Sequence, residues 1–225
     1  MQIDHIFIFS NNTGKEAQEL LDFGFLEGSS RVHKGQGTTN RKFYFKNFFL
    51  EILWVSDLQE IKSNLITPTK LWERADFKKN NFSPFGLCLV NTDSTNALFA
   101  NENINIIKYQ PQYFPVGMEI EILTNEHLPH LPWTFRLPFK SEIETEIKEN
   151  KHQNEPTTHQ NGIKNLTEAS FGIPFFKGAV NFQNEETIKF VKNNIIQAYT
   201  LTLTFDNHQQ GKTKIFSEIP LLIKY

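Results

Sequence analysis

Chemistry-bearing residues gather in the stretch His33-Lys34-Gly35-Gln36-Gly37-Thr38-Thr39-Asn40-Arg41. Gly35 and Gly37 permit backbone conformations closed to residues with a Cβ. The N–H groups exposed there, with the Thr38 hydroxyl, the Asn40 amide and the Arg41 guanidinium, can converge on a carboxylate, a phosphate or vicinal oxygens. His33 lies in polar context, where an imidazole titrates near neutrality and general acid–base work is open to it. The plain alternative is structural: glycines for a tight connection, Asn40 bonded to its own backbone, Arg41 paired with a neighbouring strand. A dinucleotide fingerprint is excluded, because Asn40 holds the third glycine position and the stretch does not open a helix.

Other chemistries find less support. No nucleophile-elbow sequence accompanies the serines, and Cys88 sits in an apolar run where a buried thiol is inert. His127 and His130 lie in a Pro-broken loop and are not read as ligands. A net charge of -2 over 225 residues, with no basic run interleaved with aromatics, argues against nucleic acid as a partner. The one cysteine rules out a disulfide framework and fits a reducing, cytoplasmic compartment. The apolar run Ile6 to Phe9 is too short for a signal peptide or a membrane span, so no membrane association is expected. The triplets Asn11-Asn12-Thr13 and Asn165-Leu166-Thr167 match a glycosylation sequon that matters only after secretion.

The elements that must position these residues follow from apolar spacing. Residues 3 to 9 alternate as a strand, with Ile3, His5, Phe7 and Phe9 on one face and Asp4, Ile6 and Ile8 on the other. A helix capped by Asn12 or Thr13 carries Ala17, Leu20 and Leu21 and stops at Gly24. Phe25 to Val32 supplies a further strand, and Lys42 to Lys46 with Phe48 to Val55 reads as a hairpin, completing a βαβββ unit. A second unit begins at the strand Phe85 to Val90. It continues with an Asp93/Ser94-capped helix through Leu98 and the strands Gly117 to Leu123 and Trp133 to Phe139. Ser141 to Gly162 is polar and reads as a solvated helix or a mobile linker. A third unit has a strand Leu166 to Ile173 and an Asn184-capped helix presenting Ile188, Val191 and Ile195. Its final strands are Tyr199 to Phe205 and Thr213 to Lys224. The expectation is an α+β chain of repeated βαβββ modules, 1–57, 83–140 and 164–225, forming curved mixed sheets around a cleft within one domain, 1–225.

Three segments carry a resemblance: Ile3-Asp4-His5-Ile6-Phe7, the His33 to Arg41 loop, and Phe49-Leu50-Glu51-Ile52-Leu53. They are similar to successive motifs of glyoxalase-like proteins in the vicinal-oxygen-chelate (glyoxalase/bleomycin resistance/dioxygenase) superfamily. His159-Gln160-Asn161-Gly162 resembles a later motif of the same group. The resemblance implies paired modules enclosing a cleft and a divalent metal held by a His on a first strand and a Glu on a last one. His5 and Glu51 stand at those positions. Each shares a strand face with apolar neighbours, where a carboxylate needs a partner because burying it alone costs several kcal/mol or forces protonation. The alternative is a His5 bonded to backbone and a Glu51 paired with Arg41 or a lysine.

The middle unit offers Gly86 where a second ligand is expected, whereas Glu168 and Glu218 of the third unit align with His5 and Glu51. That register gives metal ligands His5, Glu51, Glu168 and Glu218, an oxygen-rich set suited to Mn, Fe or Mg more than to a closed Zn site. Glu51 would serve as ligand or general base and His33 as proton donor, while His33, Thr38, Asn40 and Arg41 bind an oxygen-bearing small molecule. The resemblance implies isomerase, lyase or dioxygenase chemistry. The alternative is a metal-free, non-catalytic binding or sequestering protein of the same fold. No nucleotide cofactor is expected, and a homodimer is left open.

Overall fold

The computed structural model describes residues 1–100, 105–123, 128–140, 152, 154–174, 182, 185–193 and 199–225. Among the described residues, alternating and β-branched runs become thirteen strands. In chain order the first eight are β1 (Ile3–Phe9), β2 (Val32–His33), β3 (Thr38–Tyr44), β4 (Phe49–Val55), β5 (Phe85–Asn91), β6 (Ile106–Tyr109), β7 (Ile120–Leu123) and β8 (Trp133–Lys140). They form one sheet in the order β2-β3-β4-β1-β5-β8-β7-β6. The last five, β9 (Leu166–Ile173), β10 (Ile188–Lys192), β11 (Thr200–Phe205), β12 (Thr213–Ile215) and β13 (Leu221–Lys224), form a second sheet ordered β10-β9-β11-β13-β12.

Strand β1 runs parallel to β4 and antiparallel to β5, and β5 runs parallel to β8. Two βαβββ units therefore join along β1 and β5 into one curled sheet. The second sheet repeats the scheme, with β9 parallel to β10, β9 antiparallel to β11, and β11 parallel to β13. This is the α+β architecture of curled sheets that the sequence leads one to expect.

Register decides which face each side chain takes. The pairs Ile6↔Leu50 and Ile8↔Ile52, with Phe85, Leu87 and Leu89, point one face of the first sheet at the second sheet. There they meet Phe171, Leu201, Leu203 and Phe205 in one continuous buried cluster. Burial of each such side chain is worth about 1.5 to 3 kcal/mol relative to exposure. The opposite face carries Phe7, Phe9, Leu53, Trp133 and Phe135, and residues 58–79 fold over part of it through the short helices Leu58–Ile61 and Leu71–Ala75. Arg74 of that segment is fully buried and donates to the carbonyls of Ser83 and Leu131 at 3.1 and 2.8 Å, tying the segment to the starts of β5 and β8. No helix among the described residues is long and apolar enough to cross a membrane.

Several local expectations are corrected. The first helix is not capped by Asn12 or Thr13: Ser10 Oγ accepts from the N–H groups of Asn12 and Gly14, and Glu16 accepts from those of Asn11 and Asn12. Of Phe25 to Val32, only Val32 enters a strand. Strand β6 was not expected. The helix after Glu186 is instead strand β10, because Ile188-Lys189-Phe190-Val191-Lys192 alternates in burial and is rich in β-branched and aromatic residues; Asn184 and Ile195 lie outside the described residues. The helix of the second unit, Asp93–Phe99, is capped one residue early, by a reciprocal Thr92/Thr95 box. Thr213 to Lys224 is a hairpin of two strands. Most of Ser141 to Gly162 lies outside the described residues, but its described end is tied down: His159 Nδ1 accepts from Leu26 N at 3.0 Å and Nε2 donates to Tyr44 O at 2.9 Å.

Candidate functional site

The face of the first sheet turned away from the second sheet holds a cavity of about 270 Å³. Its chemistry starts from an irregularity in β1. Ile3 pairs with Leu89 while His5 pairs with Cys88, so Asp4 is an extra residue opposite β5. A bulge of this kind lets consecutive side chains share a face. Both Asp4 and His5 consequently line the cavity, whereas simple alternation puts Asp4 behind the sheet. The parallel register brings Glu51 beside Phe7, on the same face as His5.

These groups form a buried chain. Asp4 Oδ2 lies 2.6 Å from His5 Nδ1, and His5 Nε2 lies 3.9 Å from Glu51 Oε2. An Asp carboxylate accepts, so Nδ1 carries the proton and Nε2 is the bare nitrogen. Burial holds the His5 pKa down to about 4, against the opposing pull of Glu51, and Lys42 lowers it further. The imidazole is thus neutral at pH 7. The other Glu51 oxygen accepts from Asn40 Nδ2, and Asn40 Oδ1 accepts from Arg31 N at 2.7 Å. His5 also stacks on Phe49 at 4.4 Å between centroids and meets Phe135 edge-on at 5.5 Å. Two bare acceptors, Nε2 and Oε2, then face one gap. Whatever bridges them must bring a proton or positive charge.

The Gly-rich loop supplies the wall above this chain, but not through its backbone. Glu60 fills the loop's N–H nest, accepting from Gly35 N at 2.7 Å and Gly37 N at 3.0 Å. Side chains do the lining instead: His33 and Gln36 from the loop, Asn40 and Lys42 from β3, and Arg31 at the mouth. Thr38 is fully buried and bonds His33 Nδ1 at 2.9 Å. The Lys42 ammonium sits 5.5 Å from the ring centroids of Tyr44 and Phe49, and among the described residues neither Lys42 nor Arg31 forms an ion pair.

Arg41 is a correction. Pairing Arg41↔Ile52 sends it to the other face of β3, where Glu27 takes it in a two-pronged ion pair at 2.7 and 2.5 Å, away from the cavity. β3 pairs with β4 without a break from Thr38 to Tyr44, so its odd and even positions take opposite faces and Arg41 and Lys42 cannot both reach the cavity. Arg41 fills the structural role, and Lys42 takes the place next to the cavity.

The third unit does not complete the cleft. Glu168 is on β9 of the second sheet, paired with Lys189, and Glu218 is exposed in the turn before β13, its N–H bonded to Glu19. The wall opposite Glu51 comes from the middle unit, through Tyr113, Phe114, Ile120, Trp133 and Phe135. Four metal ligands, His5, Glu51, Glu168 and Glu218, are therefore not brought together. Asp4, His5 and Cys88 do place ligand-type atoms within 4.8 Å of one another. Yet Asp4 is engaged behind His5, and burial pushes the Cys88 thiol well above its ordinary pKa, which opposes the thiolate a metal requires. The donors facing the gap are His5 Nε2 and Glu51 Oε2. They fit a partly protein-held ion and not a closed four-ligand centre.

Sequence reasoning missed Asp4, Gln36, Lys42, Arg31 and Tyr113. Only Asp4 carried a signal, its place next to His5, and the bulge that makes it count is invisible to alternation.

No family model matches the chain, and no curated protein sequence matches it. Among solved structures it is similar to a hypothetical protein from Staphylococcus aureus, with a TM-score of 0.62 at 12% identity, covering 99% of this chain and 97% of that one. Weaker, partial likenesses include methylmalonyl-CoA epimerase of Streptomyces coelicolor in complex with 2-nitronate-propionyl-CoA, at TM-score 0.41, 14% identity and 64% and 99% coverage. The enzyme of that name from Mycobacterium tuberculosis gives TM-score 0.42, 10% identity and 60% and 86% coverage. Identity this low speaks for the fold alone.

Proposed function

We propose that the cleft takes a small anionic molecule with vicinal oxygens and moves a proton at the carbon beside its carbonyl, the step shared by isomerases and lyases. The observation that carries this reading is the buried chain Asp4–His5···Glu51←Asn40 opening on one cavity. Glu51 Oε2 is the base: it takes the C–H proton, and the electron pair passes to the carbonyl oxygen as an enolate. Its other oxygen is pinned by Asn40, so Oε2 is positioned without side-chain search. The bare His5 Nε2 accepts a substrate O–H beside it. Lys42 and Arg31 favour a carboxylate at the mouth, and the Phe49, Trp133 and Phe135 rings exclude water and favour a flat body. A reducing, cytoplasmic setting and a chain acting as one domain belong to this reading.

The test is a thermal-shift and titration panel of 2-oxo carboxylates beside their neutral esters. Binding of the acids and not the esters, weakened in Lys42→Ala, supports the reading; equal binding of both contradicts the anionic assignment.

A second reading has its own observation, the two bare acceptors 3.9 Å apart. A divalent ion would be held there by His5 Nε2 and Glu51, with Asp4 orienting the imidazole from behind, and would supply Lewis acidity at a substrate oxygen. Elemental analysis after metal-replete expression separates the two. Near-stoichiometric Mn, Fe, Mg or Zn, lost in Glu51→Ala, favours the metal-assisted form. Its absence in both proteins, with binding intact and no turnover, favours a metal-free binding protein.

A further inference from the structure

Above the cleft a hydrogen-bonded chain runs from the loop before β7 to His33. The Tyr113 hydroxyl donates to Gln36 Oε1 at 3.0 Å, and Gln36 Nε2 donates to Thr38 Oγ1 at 2.8 Å. Thr38 Oγ1 lies 2.9 Å from His33 Nδ1. Each link constrains the next. A phenol O–H aimed at the amide commits Oε1 as acceptor, which leaves Nε2 as the donor to Thr38. The threonine hydroxyl has one proton and two lone pairs; among the described residues it has no bonded acceptor other than His33 Nδ1, so, having accepted from Gln36, it gives its proton to His33 Nδ1. Nδ1 is then the bare nitrogen, and Nε2–H is the ring's free edge. Gln36 and Thr38 are buried, so the order is held without competition from solvent. The Tyr113 ring also covers His33, with centroids 5.1 Å apart.

His5 has the reverse arrangement. Its Nδ1–H is taken by Asp4 and its Nε2 is bare. The one cavity is thus lined by one imidazole that accepts and one that donates.

We propose that Tyr113, Gln36 and Thr38 are positioning residues that hold His33 as the Nε2–H tautomer, so that His33 presents a donor to the oxygen of the molecule on which Glu51 acts. The functional half of this inference rests on the acid–base reading above. The tautomer half does not. In that role His33 hydrogen-bonds the developing enolate oxygen and keeps its proton, while Glu51 holds the proton taken from carbon, so the step balances without a further reactant.

Long-range 1H–15N correlation spectra of ligand-free protein at pH 7.5 read the tautomers directly, and His33→Asn identifies the resonance. The expected result is a protonated Nε2 and an unprotonated Nδ1 at His33. Thr38→Val, close in size, and Tyr113→Phe should convert this single tautomer to a mixture, while Thr38→Ser restores it. His159 is the internal control, because Leu26 N and Tyr44 O hold its Nε2–H form by backbone bonds and its signals should not move. A protonated Nδ1 at His33 in the wild type, or a tautomer unmoved in both Thr38→Val and Tyr113→Phe, overturns the proposal. A correct tautomer with no proton-transfer activity against any 2-oxo acid defeats the acid–base reading and leaves the relay standing. Activity with an unmoved tautomer does the reverse.

Discussion

His5 shows how burial decides a residue's work. The fold keeps its imidazole neutral down to about pH 4, whereas an unfolded chain protonates it near 6.5. Between those values unfolding takes up a proton, so the stability present above pH 6.5 is lost as pH falls toward 4, by roughly 3 kcal/mol. His33 is also lowered, chiefly by burial, and adds in the same direction. His5→Asn should therefore flatten, without abolishing, the fall of melting temperature between pH 6.5 and 4; an unchanged slope would count against a neutral, buried His5. Two neighbours on β3 separate binding from structure. Lys42→Ala should weaken an anionic ligand by about 1 to 3 kcal/mol with little change in melting temperature. Arg41→Ala should leave affinity alone and cost about 0.5 to 1.5 kcal/mol of stability, since its ion pair with Glu27 is only partly buried. Parallel titrations and thermal melts distinguish them, and a loss of affinity in Arg41→Ala would return that residue to the site.

At the scale of elements, strands with strong apolar runs were legible: β1, β4, β5, β8 and β9 lie where those runs put them. Which face a residue takes was legible only where no residue is inserted. The extra residue at Asp4 brings to the cavity wall a carboxylate that alternation places on the opposite face with Ile6 and Ile8, and a single strand position moves the cation from Arg41 to Lys42. The helix expected over Ile188 and Val191 failed because two apolar residues three apart fit a helix face, while the whole run fits a strand. Gly86 stands where alignment with His5 leaves the middle unit without a ligand, and the reason for a glycine there is steric. A Cβ there would sit 2.0 Å from the Phe7 ring. Gly86→Ala should cost about 1 to 3 kcal/mol by overpacking in urea denaturation. Phe7→Leu in the same chain should recover part of that loss, and additive losses would refute the contact.

Across the whole molecule, the second sheet backs the first instead of completing its cleft. Phe45 and Phe205 meet at 4.6 Å, and Phe85 and Phe171 at 5.8 Å, so both sheets share one apolar interior. A chain built this way should unfold in a single calorimetric transition. Two separated transitions would divide it into two domains. That division of labour was not legible in the sequence, because Glu168 and Glu218 align with His5 and Glu51 in local sequence, while Glu168 sits on the second sheet and Glu218 in the turn before β13. What remains facing the cavity is the chain Asp4, His5, Glu51, and the role proposed for Glu51 is to move a proton to and from carbon. The direct measurement is 1H NMR of 2-oxobutyrate and phenylpyruvate in D2O, following loss of the signal beside the carbonyl with wild type and with Glu51→Gln at equal concentration. Exchange above the buffer rate in the wild type that falls to the buffer rate in Glu51→Gln is the predicted result; exchange that persists in Glu51→Gln, or exchange at the buffer rate with both acids bound, would contradict it.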